Sequence, residues 1–214
     1  MRSRFSIAAF ALAVMVLSGA ARAAAAKVEL LKNEKVIVTE ETLRPGESET
    51  VTGNHASVVV YLSGDVVEIT FADGPWQGKT VSRGETVNEP AWAATLTNTG
   101  ALTLRLVRVE FLTAGSRKPW GMTGLPPNYK MLFEDEHSRT YDIRIAAHTW
   151  EQKHTQHDRV LICLSGAQLE HVLSDGSRQF STLRPDEAAW RLAQTHKERN
   201  LGHTNFWAIA VEPK

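Results

Sequence analysis

A single cysteine, Cys163, stands in 214 residues. With no second thiol there is no intrachain disulfide, no CxxC redox pair and no cysteine-built zinc site. The chain also lacks a glycine-rich phosphate loop and a serine-containing nucleophile elbow, which sets aside P-loop and α/β-hydrolase chemistry. Excess charge of one sign is missing too: 24 Lys and Arg balance 24 Asp and Glu. Without Arg2, Arg4 and Arg22, which sit at the extreme N-terminus, 21 basic side chains remain against 24 acidic ones, a net of −3. That balance favours neither nucleic acid nor an anionic membrane as a partner. Past the first 23 residues no run is apolar enough to span a bilayer. Cohesion therefore has to come from apolar burial, and the roughly 190 residues that remain suffice for one or two modest cores.

What is present begins with a leader. Arg2 and Arg4 precede an apolar stretch from Phe5 to Leu17, and Ala21-Arg22-Ala23 supplies small residues at a cleavage point. This is the layout of a secretory signal peptide. Residues 1–23 are expected to be removed, leaving a periplasmic or secreted chain with no membrane anchor.

The rest of the chain repeats itself. "TGNHASVVVYLSG" (52–64) and "HTQHDRVLICLSG" (154–166) share an ending at an offset of 102 residues. Held without gaps from Leu30 to Glu110, that offset gives 19 identities in 81 positions, among them His55 with His157, Glu85 with Glu187 and Asn98 with Asn200. A unit made twice changes the whole reading of the fold. Each copy is β: "VVVYLSGDVVEITFADG" is two apolar runs about a Gly-Asp turn, and "ALTLRLVRVEF" and "TNFWAIAVE" close the copies in alternation. Short strands at close spacing with no long amphipathic helix predict a sandwich or barrel. Gly and Pro punctuation in "GSRKPWGMTGLPPNYK" marks residues 115–130 as the linker between units at 24–114 and 131–214.

"LRPGES", "LSG", "DG" and a His-x-x-x-Asn spacing at His196 and Asn200 resemble the cupin superfamily, and the duplication resembles a bicupin. The resemblance covers nearly all of the chain after the leader and implies two tandem double-stranded β-helix (jelly-roll) barrels. It also implies, in many members, one metal per barrel on two His and one Glu from a first motif and one His from a second. Counting back from Gly166, the family's Glu position is Arg159, and its paired His positions fall on Gln152 and His154 or on Lys153 and Thr155. The second-motif His falls on His196, while Arg191 and Ala193 replace that motif's Pro and Gly. In the first copy the matching positions are Thr50, Thr52, Ser57 and Ala94, which cannot make a tight transition-metal site. The first barrel is expected to hold no metal and to pack against its partner.

For the second barrel the residues leave two readings open. In one, His154, His196 and an off-pattern His157 hold a divalent transition metal (Fe, Mn, Ni, Cu or Zn) with an open position for substrate, as in catalytic three-His sites. His154 and His157 differ by an odd number and face opposite sides of a straight strand, so both turn inward only across a bulge or turn. In the other reading the barrel binds a small anion without metal, or is structural. Arg159, Arg191, Gln152 and Trp190 would line that pocket, because a guanidinium beside a dication is unfavourable but grips a carboxylate or phosphate well. Cys163 shares the inward parity of Arg159 and reads as a buried, inert thiol. Either way the partner is a small molecule, and the chain is a monomeric bicupin or a homodimer. Neither a reaction nor catalysis itself is fixed by the residues alone.

Overall fold

The structure is a computed structural model that describes residues 24–116 and 125–214. The expected leader (1–23) and residues 117–124 of the expected linker lie outside the described residues. Among the described residues there are eighteen strands and no helix. The first copy carries β1 (Ala26–Lys32), β2 (Val36–Leu43), β3 (Ser48–Val51), β4 (Ser57–Tyr61), β5 (Asp65–Phe71), β6 (Trp76–Val81), β7 (Thr86–Glu89), β8 (Ala94–Asn98) and β9 (Leu104–Phe111). The second carries β10 (Tyr129–Glu134), β11 (Ser138–Ile145), β12 (His154–Gln156), β13 (Arg159–Cys163), β14 (Ala167–Leu173), β15 (Arg178–Leu183), β16 (Ala188–Arg191), β17 (Gln194–Asn200) and β18 (Phe206–Pro213). β10 begins at Tyr129, inside the segment read as linker.

Each copy folds into one five-stranded and one four-stranded sheet. Their orders are β1-β2-β9-β4-β7 with β3-β8-β5-β6, and β10-β11-β18-β13-β16 with β12-β17-β14-β15. These are two tandem jelly rolls, as expected. The offset of 102 survives as geometry: β4 and β13, β5 and β14, and β9 and β18 each start 102 residues apart. Asn98 and Asn200 show it in detail. Asn98 donates to Leu43 O and Leu102 O and accepts from Gly100 N, and Asn200 does the same with Ile145 O, Thr204 O and Gly202 N. Asn200, the end of the His-x-x-x-Asn spacing, is thus a brace for the β17–β18 loop.

β4 and β13 are buried along their whole length because their sheets are covered on both faces. Val59 and Tyr61 turn into the first barrel with Leu104 and Leu106. Leu161 and Cys163 turn into the second with Ala208 and Ala210. The alternate residues Val58, Val60, Val160, Ile162, Val109 and Val211 meet in one apolar cluster between the two five-stranded sheets. Cys163 is fully buried, and burial raises its thiol pKa, so it is a core residue. The β6–β7 turn of the first barrel locks the joint. Arg83 donates to Leu62 O, to the equivalent Leu164 O and to Asp186. Gly84 beside it has φ +79°, and a Cβ there would come 2.1 Å from Trp207 Cζ2.

Candidate metal centre in the second barrel

β17 supplies the core of the site. Its alternation sends Gln194, His196 and Glu198 to one face of the strand, and His196 is fully buried. β12 lies alongside, with His154 as the cross-strand partner of His196, and the two rings meet edge on at 5.0 Å. β14 brings His171 from the other side, in step with the core residue Leu169, at 5.2 Å from the His196 ring. Glu151 is drawn in by its backbone N–H, which donates to Glu198 O at 2.8 Å, and its carboxylate accepts from Asn128 Nδ2 at 2.9 Å.

These residues form two overlapping groups. Glu151, His154 and His196 each offer a donor atom, all within 4.8 Å of one another, and so do His171, His196 and Glu198. Oε1 of Glu151, Nε2 of His154 and Nε2 of His196 are buried and have no hydrogen-bond partner. Leaving such an atom unpaired costs about 1–3 kcal/mol, and one cation touching all three would remove that cost. The Nε2 of His196 stands 3.8 Å from Glu151 Oε1 and 3.7 Å from Glu198 Oε2, too far for hydrogen bonds. The residues present therefore fit a divalent metal.

The imidazoles are prepared for that role. Nδ1 of His154 donates to Gln152 O at 2.9 Å, which leaves Nε2 a bare lone pair. Nδ1 of His196 meets Nε2 of the Gln194 amide at 2.6 Å; turning that amide over would set its oxygen on Nδ1–H and bare Nε2 of His196 for a metal. Burial pushes the His196 pKa down to about 4 and also lowers that of His154, so both rings are neutral at pH 7. Burial, reinforced by Glu198, pushes the Glu151 carboxyl up to about 8. Burial opposes the charge on Glu198 too, but the nearby His171, with His196 and Arg159, outweighs it and holds that carboxyl low. His171 is steadied at both nitrogens. Nε2 lies 2.9 Å from Ser181 Oγ, and Nδ1 lies 3.0 Å from Glu198 Oε2, off the N–H direction.

A cavity of about 370 Å³ opens beside His171 and Glu198. Arg159, Trp190 and Arg191 line it, and Arg159 is the cross-strand partner of Arg191. Arg159 is only 4% exposed, a buried charge, while the neighbouring Asp158 pairs with Lys35 of the first barrel at 3.2 Å. Of the other residues singled out from sequence, Gln152 is exposed and reaches the site only through its backbone carbonyl. His157 belongs to neither donor group. β12 ends at Gln156 and β13 starts at Arg159, so His154, Gln156 and Arg159 are all buried while the break carries His157 away from them. Trp190 also packs against the cluster between the barrels.

Three participants escape a motif count: Glu151, His171 and Glu198. Alternation from His196 to Glu198 and from Leu169 to His171 was the available signal. The first barrel keeps the equivalent of Glu151, Glu49, and replaces the other two. At the offset of 102, His171 and Glu198 correspond to Ile69 and Leu96, and Ala210 corresponds to Arg108. The Arg108 guanidinium fills that interior, held by Glu41 at 2.9 Å and by Glu89.

No protein-family model matches the sequence, and no curated protein does. Solved structures do. A cupin 2 conserved barrel domain protein from Leptotrichia buccalis superposes with a TM-score of 0.59 at 15% identity, covering 89% of each chain. AerE from Microcystis aeruginosa gives 0.60 at 12% identity, over 90% of this chain and 98% of that one. Oxalate decarboxylase from Bacillus subtilis, which has Mn(II) centres, gives 0.57 at 12% identity over 88% of this chain and 72% of that one. At such identities the likeness establishes the fold, which is that of cupin-domain proteins.

Proposed function

We propose that the second barrel binds one divalent transition metal on Glu151, His154 and His196 and takes a small anionic molecule into the adjoining cavity. The observation that carries this reading is that Glu151, His154 and His196 bring donor atoms within 4.8 Å of one another, while Glu151 Oε1 and Nε2 of both imidazoles are buried with no hydrogen-bond partner. A bound dication supplies Lewis acidity at that point. The protein residues do the rest. Glu198 and Ser181 fix His171 at the cavity wall, and Gln194 sets the tautomer of His196. Arg159 and Arg191 give the cavity two positive charges against the one carboxylate of Glu198, which His171 already faces. An anion is the solute that such a lining attracts. The leader would place this chemistry outside the cytoplasm, which N-terminal sequencing of the exported protein tests.

A metal-free anion site is the second reading, favoured by Arg159 in the position where the family resemblance puts a carboxylate. Equilibrium dialysis of the metal-stripped chain against Mn(II) and Zn(II) separates the two. Loss of a ligand is expected to cost more than the 10–100-fold typical of its supporting partners, so His154→Ala and His196→Ala should each weaken binding by more than about 100-fold. Equal binding by both variants and the parent would remove the proposed centre.

A further inference from the structure

The cavity in the second barrel has two ends of unlike character. At the inner end Arg159, 4% exposed, spends Nη1 on His157 O at 3.1 Å and leaves a buried Nε without a hydrogen-bond partner. A guanidinium carries five donors and a permanent charge, so the inner end has a place for an acceptor, with Arg191 across the strand pair. Elsewhere the lining is mixed: the buried Leu161, Leu169 and Leu183 share it with His171, Gln179 and Glu198, and the rim holds Phe180 and Leu192, 68% and 70% exposed.

We infer that the ligand of this cavity is an amphipathic monoanion, with its carboxylate at Arg159 and Arg191 and an apolar tail running out between Phe180 and Leu192. This rests on the anion reading above and narrows it. A compact dianion would leave the leucines and the rim uncovered. A polyol would need several free polar partners, and of the uncharged polar side chains in the lining Ser181 is engaged with His171 and Gln194 with His196, which leaves Gln179. The exposed rim pair has no such conflict: two large apolar side chains held open beside a cavity are covered when a hydrocarbon tail passes between them.

Isothermal titration of the metal-stripped full chain with acetate, butyrate, hexanoate, octanoate, 1-hexanol and hexylamine tests the inference. Burying a methylene is worth about 0.8 kcal/mol, so affinity should rise about fourfold per CH₂ along the carboxylates. Hexanol and hexylamine should bind at least about tenfold more weakly than hexanoate, since each lacks the charge-assisted contacts. Leu192→Ser and Phe180→Ser, both on the exposed rim, should flatten the chain-length dependence while leaving acetate binding as it was. Arg159→Gln should remove the preference for carboxylate over alcohol. Acetate and octanoate binding alike, with Arg159 still required, would overturn the tail and leave the anion reading standing. Hexanol binding as well as hexanoate, or octanoate binding indifferent to both rim variants, would overturn the assignment to this cavity. If no carboxylate of any length binds, the anion reading falls together with the inference.

Discussion

Two buried charges, one in each barrel, make the residue-scale account testable. In the first barrel Arg108 is 1% exposed between Glu41 and Glu89, and Ser57 Oγ lies 3.2 Å from its Nη1. Arg108→Met would leave buried Glu89 without a cation and Glu41 with Lys27 alone, at 3.4 Å, so urea unfolding should show a loss of about 3–5 kcal/mol. In the second barrel Glu212 is 2% exposed, and burial pushes its carboxyl up to about 7. Arg159 on β13, Arg139 on β11 and the backbone N–H of His157 pull it down, and Glu134 on β10 pushes it up. The folded state therefore holds this proton at higher pH than the unfolded chain does. Its contribution is whole below about pH 4.5, where both states are protonated, and is lost as pH rises through about 7. Glu212→Gln should flatten the loss of stability between pH 5 and 8.5 by up to about 3 kcal/mol, measured by denaturation at the two pH values. Sequence disclosed part of this chemistry. His154 and His196 were visible from spacing, and the inward parity of Arg159 from its strand. Glu151, His171 and Glu198 were not, because cross-strand pairing of β12, β14 and β17 brings them together, and a motif counted along one strand carries no such information.

At the scale of elements, turns decide how the barrels meet. Gly84 adopts φ +79° with Trp207 packed against its α-carbon, and its equivalent in the second barrel, Asp186, also has positive φ (66°). Gly84→Ala combines a left-handed penalty of about 1–2 kcal/mol with overpacking of about 1–3 kcal/mol. It should lower thermal stability more than Gly46→Ala, where nothing lies within 4 Å of the added carbon although φ is +81°. Equal melting temperatures would mean that the joint does not depend on this turn. The strands themselves were readable. "VVVY" and "VLIC" are unbroken apolar runs because one face of each strand fills its own barrel and the other fills the joint. The break between β12 and β13 was not readable, since nothing in "HTQHDR" states on which side the chain resumes. That is why the sequence left open whether His157 turns inward with His154.

The whole molecule is one barrel made twice and then specialised. The 102-residue repeat gave the architecture away, because equal offsets in sequence become equivalent strands in space. It also located the asymmetry: hydroxyls and a methyl group stand in the first copy where imidazoles and Arg159 stand in the second. It could not reveal that Arg108 occupies the first interior, since a charged residue in the alternating run "LRLVRVEF" reads as well outward as inward. The central claim is that only the second interior gathers metal donors. Metal content of the full chain after reconstitution, read by inductively coupled plasma mass spectrometry, tests it most directly. Close to one equivalent of a divalent transition metal per chain is expected, lost when His154 and His196 are both changed to Ala and retained in Thr52→Ala. Less than about a tenth of an equivalent in the parent chain, or a full equivalent in the doubly substituted one, would contradict it.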